Sequence, residues 1–234
     1  MAPDRAPTTD PEPARMRADA RRNREQILCA AREVFAAQGP DAPLDEIARR
    51  AGVGAATLYR RFPDRSDLVR GVAVDVLTAL GEAALAARES EAEPFEALRA
   101  FTHAALDLKL GSVMPALVGR VAADEVLDGV RQDAVEPVRD LLARAHADGT
   151  LRPDVCFGDI PLMLMRLSRP LVGGQLAEDG DLAHRQLEIY LDGLRAPGTS
   201  DRRAVLPGPA VGLGWFRRIR ARLIGDQAAP GPLA

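Results

Sequence analysis

The sequence predicts an all-α protein. Three observations predict it. Aromatic residues are only 4% of the 234 residues. Short alternating runs of β-branched residues are absent. Apolar residues recur at spacings of three and four, the period of a helix with one buried stripe.

Taken in order, residues 1–17 come first. Pro3, Pro7, Pro11 and Pro13 alternate there with Asp4, Asp10 and Glu12. With no apolar block, this reads as a disordered arm and not as a secretory leader. From Ala18 to Gln38 a helix is marked by Ile27, Ala31, Val34, Phe35 and Gln38, and Gly39-Pro40 ends it. Leu44 to Ala51 forms a short helix, with Pro43 suited to its first turn. Gly52 breaks it, and a second short helix runs from Ala55 to Phe62. Pro63 stops that one, and Asp64 or Ser66 caps a longer helix through Leu68, Val72, Val76, Leu80 and Leu85. This places a first helical unit at 18–64.

The body follows at 65–195. Helical pattern continues over Pro94–Leu110, less regularly over Val113–Val130, then over Gln132–Ala147, which Asp148-Gly149 ends. Asp159–Leu176 is strongly apolar, interrupted by Pro170, and Asp181–Leu194 is amphipathic. Residues 196–234 are rich in Pro and Gly and read as a flexible tail. Within it, Trp215–Ile224 has the pattern of a short basic amphipathic helix.

Composition narrows the function. With 47% hydrophobic and 28% charged residues, the chain is that of a globular protein. No apolar run approaches the roughly 18 residues of a membrane span, so no membrane partner and a cytoplasmic location are expected. Cys29 and Cys156 share no spacing with histidines, so neither a disulfide framework nor a metal site is expected. No cofactor motif is present either. Lys109 is the only lysine, so arginine richness is a habit of the whole chain and says little. Its placement says more. Residues 15–70 hold twelve arginines against eight acids, a net of +4, whereas the whole chain is −3 and the remainder therefore −7. A basic block on an acidic body suits a head that meets DNA.

Residues 44–62 carry the motif. Two helices that cross steeply through a short turn need a small residue at their closest approach, and Ala48 stands there. The turn needs a residue free to take positive φ, and Gly52 supplies it. Ile47, Ala51, Val53, Leu58 and Phe62 close the small core, with no charge at an inward position. The remaining face of the second helix is Gly54, Ala55, Ala56, Thr57, Tyr59, Arg60 and Arg61. Its small first half lets the backbone enter a major groove about 12 Å wide. Thr57 and Tyr59 can bond phosphate, and either Arg60 or Arg61 can read a guanine edge. Arg65 stands at a helix N-terminus that favours phosphate, and Arg22 can clamp the flanking backbone.

The block from Arg22 to Gly39, then Leu44 to Tyr59, then Arg61-Phe-Pro-Asp-Arg-Ser-Asp-Leu68 resembles the DNA-binding domain of the tetracycline-repressor family. The resemblance covers residues 20–70. It implies an N-terminal three-helix helix-turn-helix DNA-binding domain joined to a larger helical ligand-binding and dimerisation domain. It implies a homodimer that binds a palindromic operator, usually a repressor released by a small molecule. It also implies that Thr57, Tyr59, Arg61 and Arg65 take the family's operator-contacting positions. Pro43 and Leu44 depart from the usual Ser or Thr cap, and Ala55 and Ala56 replace polar groups common in relatives.

The same resemblance implies that the last two helices pair with their symmetry mates as a four-helix bundle. Leu162, Leu164, Leu167, Leu171, Leu187 and Leu191 supply apolar surface for this, though they equally suit a protomer core. A pocket for an apolar effector is expected among Phe101, His103, Leu106, Met114, Leu117, Val121, Met163 and Met165. An enzyme would need convergent catalytic groups, and the three histidines, His103, His146 and His184, sit in no nucleophile, phosphate-loop or metal spacing. The alternative reading is a helical sensor or interaction protein without DNA binding.

Overall fold

A computed structural model describes residues 12–109, 111, 113–114, 125–169, 178–196, 212–214 and 217–218, with side chains from residue 19 onward. Its eight described helices are α1 (Glu12–Gln38), α2 (Leu44–Arg50), α3 (Ala55–Arg61), α4 (Arg65–Ser90), α5 (Pro94–Asp107), α6 (Glu125–Ala147), α7 (Asp159–Leu167) and α8 (Asp179–Leu194). The only β pairing among the described residues is one antiparallel bridge between Leu151 and Arg195.

Helix α1 begins at Glu12, inside the segment expected to be an arm. Pro13 is tolerated because a helix's first turn has no use for its missing N–H, and Ala14 to Ala18 are mostly good helix formers. Ile27, Leu28, Ala31, Val34 and Phe35 are buried, while Gln38, expected in the same stripe, is exposed at the frayed end. Gly39 then takes φ +84° and turns the chain.

Helix α4 is the spine. At 26 residues it is about 39 Å long, and it packs on α1 at one end and on α5 and α6 at the other. Asp64 caps it, its carboxylate accepting from the Asp67 amide at 2.8 Å. Two glycines allow close packing. A Cβ on Gly71 would lie 2.9 Å from a ring carbon of Phe62, and one on Gly81 would lie 3.2 Å from the Ala134 backbone.

The expected break near residue 131 does not occur. Helix α6 is continuous because Leu127, Ala134, Val138, Leu141, Leu142 and Ala145 form one buried stripe through it. Pro137 lies inside and offers no N–H to the Asp133 carbonyl, and that carbonyl faces Gly81 of α4. Helix α5 stops at Asp107, before the expected Leu110, and Lys109 turns the chain with φ +52°. Residues 170–177 and most of the tail, including Trp215 and Ile224, lie outside the described residues. No helix among the described residues is long and apolar enough to cross a membrane.

Candidate nucleic-acid interface

The elbow of α2 and α3 is built as its residues require. Ile47 and Leu58 are fully buried, and Ala48 and Phe62 nearly so. Gly52 takes φ +67°, where a side chain costs about 1–2 kcal/mol. The turn is held by the Val53 amide donating to the Ala48 carbonyl at 3.0 Å and the Ala51 amide to Ile47 at 2.9 Å. Ala51 and Val53, expected wholly inward, are half-buried at the rim.

What remains of α3 faces outward. Gly54, Ala55, Ala56, Arg60 and Arg61 are exposed, Thr57 is half-buried, and Tyr59 is 47% exposed. The cations divide sharply. On α2, Arg49 is held by Glu46 and Arg50 reaches Glu33 of α1 at 2.6 Å. The Arg49 guanidinium, through its hydrogen bond, holds the Glu46 carboxyl below the usual glutamate range. On α3, neither Arg60 nor Arg61 has a carboxylate partner among the described residues. Arg22 is exposed on α1 and paired with Asp19 one turn back. Arg24, which with Arg21 and Arg22 is expected from the sequence to flank the DNA backbone, has its guanidinium 5.4 Å from the centre of the Phe62 ring, a contact that the spacing did not announce.

Arg65 departs from expectation. It is half-buried, and its Nη1 donates to the carbonyls of Pro40 at 2.7 Å and Ala42 at 2.8 Å. This nitrogen is committed to the turn between α1 and α2 and does not face solvent as a bare phosphate ligand.

In the body, Phe101, Leu106 and Met163 are buried, and Met114 and Met165 are half-buried. Leu117 and Val121 lie outside the described residues. His103 is placed differently from an apolar pocket residue. Its Nε2 is 2.6 Å from Glu188 and its Nδ1 is 2.7 Å from Nδ1 of His184, whose Nε2 is 2.8 Å from Asp107. Arg99 grips Glu188 from behind, and this hydrogen bond is the main reason the Glu188 carboxyl sits below its ordinary range. The partners of this cluster are 77 to 89 residues apart, so no local pattern could have announced it. Cys29 and Cys156 are both free thiols.

A compact helix-turn-helix with a bare basic face, carried on a long helix that enters a helical body, defines a DNA-binding regulator. The comparisons with known proteins make this particular. Residues 27–72 match the model for bacterial regulatory proteins of the tetR family, and residues 93–196 match the C-terminal domain of SbtR-like transcriptional regulators. The repressor LfrR of Mycolicibacterium smegmatis is 31% identical over 174 residues, 74% of this chain and 88% of that protein. The match to the regulator TtgW of Pseudomonas putida is confined to 56 residues at 46% identity, 24% of this chain and 42% of that one. Among solved structures, a regulator from Streptomyces coelicolor aligns with a TM-score of 0.56 at 31% identity, covering 75% of this chain and 99% of that one. LfrR in complex with proflavine aligns with a TM-score of 0.52 at 26% identity, covering 80% and 99%. The chain belongs to the tetR family. Its members are DNA-binding transcriptional regulators that act as dimers, and they are not enzymes.

Proposed function

We propose that this chain is a repressor that binds a palindromic operator as a homodimer and leaves it when a small apolar effector enters the body. The observation that carries the reading is the outer face of α3, where Arg60 and Arg61 stand exposed beside Thr57 and Tyr59 without a carboxylate partner among the described residues. Small residues at Gly54, Ala55 and Ala56 let the start of α3 sit deep in the groove, and Tyr59 and Thr57 bond phosphate on either side. Arg22 adds a flanking backbone contact. In domain terms, 18–64 reads DNA and 65–195 senses and dimerises, leaving 1–17 and 196–234 as terminal extensions.

Dimerisation is assigned to α7 and α8. Three of the leucines considered for this, Leu164, Leu187 and Leu191, are buried within the protomer core. The outward apolar residues of α8 are Leu182, 39% exposed, and Ile189, 64% exposed, and these fit a symmetric partner. The effector is placed near Phe101, Met114 and Met163, with Leu117 and Val121 from the neighbouring segment. LfrR's structure with proflavine makes that compound the first to try.

The test is a gel-shift with DNA fragments flanking the coding region. A salt-sensitive complex of dimer size is expected, weakened by Arg61→Ala and Tyr59→Ala and dissociated by effector. If no fragment binds at low salt, the chain is a helical sensor without DNA binding. Ile189→Asp is expected to yield monomers in sedimentation.

A further inference from the structure

We infer that Arg65 is a positioning residue for operator reading, pinning the entrance of α2 to the first turn of α4, and is not a phosphate ligand. A cation in the first turn of a helix opposes the helix dipole, so something must compensate it here. The structure supplies two carbonyls. Those of Pro40 and Ala42 accept from the same Nη1 at 2.7 and 2.8 Å. They belong to the tight turn that Gly39 starts at φ +84°, immediately before α2. The elbow also meets α4 through the Phe62 ring, which lies against Gly71. Two fastenings therefore fix the elbow on the spine: an apolar one after α3 and a charged one before α2. Through them a shift of α4 reaches both ends of the reading unit.

This rests on the reading of α3 as the DNA-contacting helix. The probe is the duplex that the wild-type protein selects from a random pool, with affinity measured across a salt series. A phosphate ligand contributes about one unit to the slope of log affinity against log salt, and a positioning residue contributes none. Arg65→Gln is expected to weaken binding about tenfold with a slope parallel to wild type. Arg65→Lys keeps the charge but not the guanidinium that spans both carbonyls, and is also expected to bind more weakly on a parallel line. A slope lowered by about one in Arg65→Gln, or wild-type affinity in Arg65→Lys, overturns the assignment. Where Arg65→Gln does not fold, the lysine variant decides. Failure of the wild-type protein to select any duplex would instead remove the DNA-binding reading itself.

A second inference stands on a different cluster: the geometry points to a proton held between His103 and His184, clasping α5 to α8. Three contacts run in series, from Asp107 to His184, from His184 to His103, and from His103 to Glu188, at 2.8, 2.7 and 2.6 Å. The rings are within 10° of parallel, and their centres are 5.0 Å apart. That separation exceeds the Nδ1–Nδ1 contact by only two ring radii, so the rings meet end to end in one plane. This is the geometry of an N–H···N bond. Each contact needs one proton, and two neutral imidazoles carry only two. The third proton makes one ring an imidazolium, flanked by two carboxylates. A zinc ion does not suit this spacing, because two in-line nitrogens would stand about 4 Å apart. The charged groups bonded to the pair come from α5 (Asp107) and α8 (Glu188), with Arg99 and Glu96 behind. Helix α7, packed on both, carries Asp159 and Arg166, and neither bonds to a ring.

Nitrogen NMR of the histidine rings in the full protein at pH 7 reads this directly. One ring protonated on both nitrogens, with the signal lost in His184→Gln, is expected. Two neutral rings overturn the clasp.

Discussion

On α3, Arg60 and Arg61 stand exposed with no carboxylate partner among the described residues, whereas on α5 Arg99 is gripped by Glu188 and touched again by Glu96. Both regions pair part of their cations internally: Arg139 with Glu136, Arg152 with Asp154 and Arg195 with Glu96 in the body, Arg49 with Glu46 and Arg50 with Glu33 in the head. Both also leave exposed arginines without a carboxylate partner among the described residues, Arg144, Arg166, Arg169 and Arg185 in the body and Arg60 and Arg61 in the head. Only on α3 do two such arginines stand side by side on the outer face of the elbow. Exposed ion pairs add little to stability, with a typical value of 0–1 kcal/mol, so unpaired arginines cost the head little. They retain their charge for an external anion. What distinguishes Arg60 and Arg61 is therefore their place on the outer face of α3 and not the lack of a carboxylate alone.

Core truncations test this separation most strongly. Phe101→Ala is expected to destabilise the body by about 3–5 kcal/mol, and Leu58→Ala the head by about 2–5 kcal/mol. Calorimetry should show that Leu58→Ala abolishes DNA binding while sedimentation still finds a dimer. If dimerisation fails with it, the two regions are not separable.

Arg61→Gln should do the reverse. DNA affinity is expected to fall by about 1–3 kcal/mol with a salt slope lower by about one, and thermal melting should be unchanged. A lower melting temperature would mean that Arg61 serves the fold after all.

Gly52→Ala comes next. Open space surrounds the position, so the strain lies in the backbone alone. A loss of about 1–2 kcal/mol in urea unfolding is expected, confined to the head.

The smallest effect concerns Glu188. Its carboxyl is held below the ordinary value by Arg99, so its contribution is present above about pH 4.3 and is lost as pH falls through the lowered folded value. Because the group is partly solvated, less than about 1 kcal/mol is expected. Melting of Glu188→Gln between pH 7 and 3 should therefore approach wild type at the acid end.

By itself the sequence determined the head. Ala48, Gly52, Leu58 and Phe62 act on neighbours within a few turns of chain, so spacing alone disclosed the elbow and the face left over on α3. The helix count of the body was less legible, because the pattern weakens near residue 131 and the helix is seen to be continuous only from the buried stripe, Leu127 to Ala145, packed on α4. Three matters were left to tertiary structure. Packing alone chose which leucines of α7 and α8 turn inward and which, like Leu182 and Ile189, turn out. It gave Arg65 two carbonyls from a turn more than twenty residues earlier. And it set His103 against His184 across 81 residues. Periodicity records which side of a helix is apolar, but the partner of a charge is decided by distance in space, and one dimension does not contain it.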